Sequence, residues 1–212
     1  MKRVLMMTAA ASAVVLGLAA CGSDAGDESM LGMNTSSAPS TSSTAAQDRE
    51  HNEADVMFAQ MMIPHHTQAV EMSEIALGKD GVDERVLELA QRIKDEQAPE
   101  IEQLTGWLEA WGAEVPDMSM GSMGGMEGMD HGGSSMSGMM SEEDMKVLED
   151  ADGPTASGLF LEQMIEHHTG AIEMAQTELN DGQNPQALEL AQTIIDAQQA
   201  EISEMEDLLA DL

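Results

Sequence analysis

The sequence predicts an all-α protein, a four-helix bundle made of two repeated helical hairpins joined by a long Met/Gly-rich crossover. The first observation is an internal repeat, because the segment 58–72 recurs without a gap as 160–174, 102 positions later. A second apolar pattern, over 86–108, recurs over 191–209 with a glutamine at its centre. Tyr is absent and there are only two Phe and two Trp among 212 residues, so the core must be aliphatic and Met-rich. Such a core suits helices better than sheets.

The start of the chain is typical of an exported lipoprotein. A short basic end and an apolar run fill residues 1–20, which predicts a signal peptide rather than a membrane-spanning helix. The ending Leu18-Ala19-Ala20-Cys21 resembles the bacterial lipobox, in which the cysteine is lipidated. We therefore expect Cys21 to anchor the protein to the outer face of the cell membrane. Residues 21–47 are rich in Ser, Thr, Ala and Gly, and predict a disordered tether.

The four-helix bundle is predicted to occupy residues 48–212, with repeat one at 48–112, the linker at 113–141 and repeat two at 142–212. Its first helix is expected from about residue 48 to 77 and its second from about 83 to 111. Pro64 lies inside the first helix, so that helix either bends there or gives way to a new one.

The second hairpin is expected to begin with a third helix that starts near Ser141 or Thr155 and ends near Leu179. Residues 180–185 are the predicted turn into the fourth helix. Two separate hairpins are the alternative architecture, but neither alone would bury its apolar stripe well.

The charge of the chain limits its partners. The formal net charge is −32, and Lys and Arg together number eight. Phosphate recognition needs clustered basic residues, so nucleic acid is excluded as a partner, whereas cations would gather near the surface. The sequence identifies no protein partner.

A histidine doublet lies at the centre of each repeat. On a helix, Phe58, Met62, His65, Ala69 and Met72 share one face, and their counterparts in the second repeat do the same. Methionines surround both doublets, which favours a metal site over the alternative of hydrogen-bonded core histidines. The candidate metal ligands are Met62, His65, His66, Met72, Met164, His167, His168 and Met174.

The ligand types favour copper, and Cu(I) in particular, because imidazole and thioether are present without thiolate. The linker adds thioethers set in Gly and Ser, which predicts weak capture of Cu(I) along it. These auxiliary ligands are Met118, Met120, Met123, Met126, Met129 and His131. Gln97 and Gln198 fall at the centres of the paired helices, where we expect their amides to orient the imidazoles.

Two other classes of function stay open. A metal-dependent redox enzyme could use the same bundle, although no glutamate stands three residues before either doublet, as a di-iron site requires. A structural or interaction lipoprotein would use the histidines only as core hydrogen-bonding groups. Copper sequestration or delivery requires no catalysis, and no hydrolytic nucleophile motif is present.

The motifs Met-Ile-Pro-His-His-Thr-Gln-Ala-Val-Glu-Met and Met-Ile-Glu-His-His-Thr-Gly-Ala-Ile-Glu-Met resemble the paired signature of the family called domain of unknown function 305. The segments 89–101 and 190–202 are similar to that family's second-helix signature. The resemblance implies a ferritin-like helical bundle that is usually exported. It also implies copper binding through His and Met and a part in copper tolerance, which are properties of some members.

Overall fold

The computed structural model describes residues 50–117 and 137–212, and within them the chain forms five α-helices. The predicted signal peptide, Cys21 and the whole of the tether lie outside the described residues, and the limits of the repeats and the linker stay predictions. The helices are α1 (Glu53–Leu77), α2 (Glu84–Trp111), α3 (Glu142–Asp150), α4 (Gly153–Asp181) and α5 (Pro185–Asp211). The predicted all-α class is confirmed.

Helix α1 begins five residues later than the sequence predicted. The Asn52 side chain accepts hydrogen bonds from the backbone N–H groups of Ala54 and Asp55, and the Asp55 carboxylate accepts from the N–H of Asn52. This reciprocal capping box satisfies three backbone donors at the first turn and fixes the start of the helix at Glu53. The expected start near residue 48 is therefore wrong.

The proline in α1 does not end the helix. Pro64 lies inside a helix that runs on to Leu77, and no second helix begins there. The Thr67 hydroxyl donates to the carbonyl oxygen of Ile63 at 2.9 Å, which adds a local bond on the turn that follows the proline. The two histidines that follow Pro64 are therefore carried on the same helix as Met62.

The crossover returns to the bundle through two helices where the sequence predicted one. Ser141 caps α3 in a capping box with Asp144, and Asp152 caps α4 by accepting from the N–H of Thr155. Both predicted starting points, Ser141 and Thr155, thus lie at real helix starts, separated by a short break. Helix α4 ends at Asp181, two residues beyond the predicted Leu179.

The four long helices pack as two hairpins, α1 with α2 and α4 with α5, and the hairpins meet where α1 packs against α4. One core cluster joins Met72 and Ala76 of α1 to Phe160 and Met164 of α4. The other joins the start of α1, including Phe58, to the later part of α4. Helices α1 and α4 therefore run antiparallel, and both doublets lie between the two core clusters.

The start of the first helix in each hairpin contacts the turn between the two helices of the other hairpin. The Asp55 carboxylate accepts hydrogen bonds from the N–H groups of Gln183 and Asn184 in the α4–α5 turn. At the equivalent place in the second repeat, the Ser157 hydroxyl accepts from the N–H of Asp83 in the α1–α2 turn. These contacts fix the register of α1 against α4. Of the helices in the described parts of the chain, none has the length and apolar character needed to cross a membrane.

Candidate metal centre

The first histidines of the two doublets lie against each other at the centre of the bundle. The ring centroids of His65 and His167 are 3.7 Å apart, with their planes inclined by 40°. Neither residue is exposed to solvent. The His65–His167 pair therefore joins the repeats, so the two predicted half-sites meet in one place.

The second histidine of each doublet is paired with a carboxylate from the other helix of its own hairpin. The Nε2 of His66 lies 2.6 Å from Oε2 of Glu100, and the Nε2 of His168 lies 2.7 Å from Oε2 of Glu201. Both imidazoles are fully buried. The repeat thus produces two matching His–Glu pairs that flank the central histidines.

These contacts decide which ring nitrogen carries the proton. The Ser137 carbonyl oxygen lies 3.2 Å from Nε2 of His65 and can only accept a hydrogen bond. The ionised carboxylates of Glu100 and Glu201 are likewise acceptors only. We therefore assign the proton to Nε2 in His65, and also in His66 and His168. The Nδ1 atoms of all three rings are buried without a hydrogen-bond partner among the described residues.

His167 differs from the other three histidines of the doublets, because both of its ring nitrogens lack a hydrogen-bond partner within residues 50–117 and 137–212. Buried polar atoms are rarely left unpaired in proteins. A metal-binding imidazole typically donates its other N–H to a carboxylate or a carbonyl oxygen, as three of these rings do. The donor atoms at the centre of the bundle therefore fit a metal ion.

Burial keeps the central rings uncharged. It lowers the pKa of His65 to about 3, with a further decrease from the neighbouring His66. The pKa of His167 lies well below its usual value for the same reason, assisted by His65. Both rings are therefore neutral at physiological pH, and a metal ion need not displace a proton from them.

The predicted thioether ligands lie on both sides of the His65–His167 pair. Met62, Met72 and Met164 are fully buried, and Met174 is partly buried. Met72 and Met164 belong to one core cluster, whereas Met62 and Met174 lie at the other. Each side of the histidine pair thus has one methionine from each repeat.

The side chains that hold the second histidine of each doublet are glutamates and not the predicted glutamines. Gln97 and Gln198 are buried, but their Oε1 atoms have no hydrogen-bond partner in the part of the chain that the structure describes. Glu100 and Glu201, one turn further along the same helices, hold His66 and His168 instead. A signal for them was present in the sequence, since Gln-x-x-Glu recurs at 97–100 and 198–201.

One end of the crossover also reaches the site, which the sequence did not predict. Residues 137–140 lie across α1 and α4, and the Ser137 carbonyl oxygen accepts from His65. The predicted linker ligands Met118, Met120, Met123, Met126, Met129 and His131 lie outside the described residues.

The two His–Glu pairs differ in their access to solvent. A cleft of about 420 Å³ between α2 and α5 is lined by Glu100, Gln103 and Glu189 among others, and the Glu100 side chain is 19% exposed. The Glu201 side chain is 8% exposed and has Arg92 beside it, at 3.9 Å. Solvent therefore reaches the first pair more readily than the second.

The set of possible donor atoms is mixed. Within residues 50–117 and 137–212, no three His, Cys, Asp or Glu side chains are grouped so that they could hold a metal ion. Imidazole nitrogen and thioether sulfur are the donors that this part of the core brings together. Such donors favour soft, low-charge cations.

Several solved structures resemble this chain. A DUF305 protein from Streptomyces coelicolor is 36% identical, with 74% of this chain and 91% of that chain covered and a TM-score of 0.64. A DUF305 fragment from Deinococcus radiodurans is 28% identical over 76% of this chain and 98% of that chain, with a TM-score of 0.64.

The protein CopM also resembles the chain. Its Cu(I)-bound form is 28% identical over 74% of this chain and 96% of that chain, with a TM-score of 0.59. Its Cu(II)-bound form is 30% identical with the same coverage and a TM-score of 0.60. No curated protein matches the chain. The model of the DUF305 family, described as a domain of unknown function, matches residues 55–209. This protein is therefore a member of the DUF305 family.

Proposed function

We propose that this protein binds Cu(I) outside the cytoplasm, at the His65–His167 pair and the methionines on either side of it. The observation that carries the proposal is the buried, neutral imidazole pair, whose ring nitrogens include atoms without a hydrogen-bond partner among the described residues. The core cluster on each side of the pair contains one methionine from each repeat. Copper is the cargo of this site, held for sequestration or delivery, and copper tolerance is the expected benefit to the cell.

The choice of metal rests on ligand chemistry. Neutral imidazole and thioether donors suit Cu(I), whereas structural zinc sites favour thiolates or several imidazoles and Mg²⁺ needs an oxygen cage. CopM is known in Cu(I)-bound, Cu(II)-bound and silver-bound forms, and Ag(I) is likewise a soft, low-charge ion. This similarity supports the proposal independently of the geometry.

The proposed location follows from the start of the chain. The signal peptide at 1–20 and Cys21 would place the bundle on the outer face of the membrane, at the end of the tether. The relative from Streptomyces coelicolor is described as a candidate secreted protein, which agrees with export. In an oxidising compartment a Met-rich linker is a suitable first ligand for Cu(I), because thiols would be oxidised there.

The test is an anaerobic Cu(I) titration against a competing chelator, on the chain that begins after Cys21. The variant with His65→Gln and His167→Gln should lose the tight component of binding while the linker still binds weakly. His51→Gln is the matched control, because His51 lies outside the central pair and stacks on Trp111. If the double variant loses only stability and keeps its copper stoichiometry and affinity, the histidines are structural and the proposal fails.

A further inference from the structure

Residues 137–140, here called the strap, are bound at their last residue to Gln68 of α1. The Gln68 amide accepts from the backbone N–H of Met140 at 2.8 Å and donates to the carbonyl oxygen of Met140 at 2.9 Å. Both bonds are buried, and the Met140 side chain enters the core cluster that contains Met72. The Gln68 amide thus binds both the backbone N–H and the backbone carbonyl oxygen of Met140.

The backbone of the strap packs closely against the backbone of α4 at two glycines. A Cβ at position 170 would overlap the carbonyl oxygen of Ser137, and a Cβ at position 138 would lie 2.6 Å from the carbonyl oxygen of Glu166. Gly138 also has a φ of +79°, which favours glycine. Glycine in the middle of a helix is unfavourable, so Gly170 indicates a local need for close approach of two backbones.

The two anchoring positions are equivalents of each other in the repeat. Gln68 and Gly170 both follow His-His-Thr and precede Ala, yet one is a long amide and the other has no side chain. The strap crosses both repeats, but because it is one segment it makes a different contact with each of the two equivalent positions. The repeats therefore differ where the strap needs an amide on one helix and open space on the other.

The strap lies over the candidate metal centre. Its first residue binds the His65 ring through the Ser137 carbonyl oxygen and α4 through a 2.7 Å bond from the Ser137 hydroxyl to Glu173. Next to it, Gly138 lies against the backbone of His167. These contacts place the strap at the Nε2 edge of the His65 ring and against the backbone of His167.

We infer that the strap is a gate for the His65–His167 pair, and that its opening sets how fast copper enters and leaves. Four side-chain hydrogen bonds anchor it, whereas helix packing over the whole bundle holds α1 against α4, so the strap is the part that opens at lower cost. The inference rests on the proposed function for its cargo. The opening itself does not need copper, which allows separate tests.

The first test uses metal-free protein and two glycine variants. Gly170→Ala should displace the strap, and Gly158→Ala is the matched control in the same helix, since a Cβ there meets nothing within 4 Å. Carbethoxylation of His65 and His167 by diethyl pyrocarbonate should become at least about tenfold faster in Gly170→Ala only. Equal rates in both variants would overturn the gate.

A second pair of variants guards against misfolding of Gly170→Ala. Gln68→Ala removes both bonds to Met140 without adding bulk. Gln60→Ala is its control in the same helix, because that side chain donates instead to the carbonyl oxygen of Glu114 at the other end of the crossover. Amide hydrogen exchange at Met140 and the reactivity of His65 should both rise in Gln68→Ala and stay at the wild-type value in Gln60→Ala. Faster exchange with unchanged His65 reactivity would mean that the strap covers no route to the ring, and the inference would fail.

A third test measures how fast protein that has been loaded with Cu(I) releases the ion to an excess of the chelator bathocuproine disulfonate. Release should be at least about tenfold faster in Gln68→Ala, with the number of ions bound unchanged. Equal release rates in Gln68→Ala and Gln60→Ala would overturn the gate for cargo. Failure of the wild-type protein to bind Cu(I) would instead refute the proposed function, and the metal-free tests would still decide whether the strap controls access.

Discussion

The Asp55 carboxylate accepts a 2.8 Å hydrogen bond from the backbone N–H of Asn184, across the junction of the two hairpins. It accepts from Gln183 at 2.9 Å with the same oxygen, and from Asn52 with the other. One buried side chain thus caps its own helix and holds the turn of the opposite hairpin. The register of α1 against α4, and with it the His65–His167 pair, depends on this residue.

We predict that Asp55→Ala destabilises the bundle by about 2–3 kcal/mol, because three backbone donors lose a charged acceptor. Urea unfolding followed by circular dichroism measures the change. Asp196→Ala is the control, since that carboxylate is exposed and accepts from Gln192 in its own helix, so a change within about 0.5 kcal/mol is expected. Equal effects in the two variants would contradict a special role for Asp55.

Glu178 should make the stability of the bundle fall as pH rises. Burial, and then the neighbouring Asp55, raise the pKa of Glu178 from 4.5 to about 8. Between these two values Glu178 holds a proton in the folded protein that it has released in the unfolded chain, so the contribution of Glu178 to the free energy of unfolding decreases with rising pH. Glu178→Gln should remove this decrease and stabilise the protein at pH 8 by on the order of 2 kcal/mol.

Unfolding curves at several pH values between 7 and 8 test this prediction, because the buried His65 and His167, whose pKa values are lowered, make stability rise with pH below about pH 6.5. Glu162→Gln serves as the control, because Glu162 lies on the same helix with an exposed side chain. A slope that persists unchanged in Glu178→Gln would show that another group is responsible. Asp55 acts in the opposite sense: burial raises its pKa, but the neighbouring Glu178 and the backbone N–H groups that it accepts from lower the pKa by more, so its contribution is lost only in acid.

The two His–Glu pairs should tune copper affinity. We expect Glu100→Gln and Glu201→Gln each to weaken Cu(I) binding by about tenfold, because a carboxylate that accepts from Nε2 makes the other ring nitrogen a better donor. Competition with a Cu(I) chelator gives the affinities. Glu71→Gln is the control, as the sequence places Glu71 away from the central stripe. Unchanged affinity in both pair variants would mean that His66 and His168 are not ligands.

The buried methionines should matter for copper more than for folding. Met62→Leu with Met164→Leu keeps side-chain volume, so we expect a loss of less than about 1.5 kcal/mol per substitution in stability. Cu(I) affinity should fall by at least about tenfold, because leucine has no sulfur. Met57→Leu, at a position that is 52% exposed, should change neither quantity. Copper affinity that is insensitive to the double substitution would remove these thioethers from the site.

Most of the architecture could be predicted from the sequence because it follows from periodicity. The repeat places His65 and His167 on matching helix faces, and two such faces bury each other in the bundle. The start of α1 was predicted less well, because the apolar pattern does not show which of several polar residues will cap the helix. Asn52 does so through its bonds to Ala54 and Asp55.

The parts of the site that the sequence did not predict depend on contacts between distant residues. The Gln68–Met140 and His65–Ser137 bonds each span 72 positions, and nothing in the local pattern near Ser137 predicts them. Glu100 lies three residues after Gln97, at the border of the apolar stripe of its helix. A long side chain at the edge of a stripe can still reach inwards, and Glu100 reaches His66 in this way.

The meeting of His65 with His167 also has a consequence for the order of folding. Each hairpin closes through contacts between sequence neighbours, whereas the central pair joins residues 102 positions apart, and such contacts form late. Under the proposed export, the first doublet leaves the membrane well before the second. The complete set of candidate ligands is assembled only when α4 has packed against α1, so we expect the protein to leave the cytoplasm without cargo and to take up its metal at its destination.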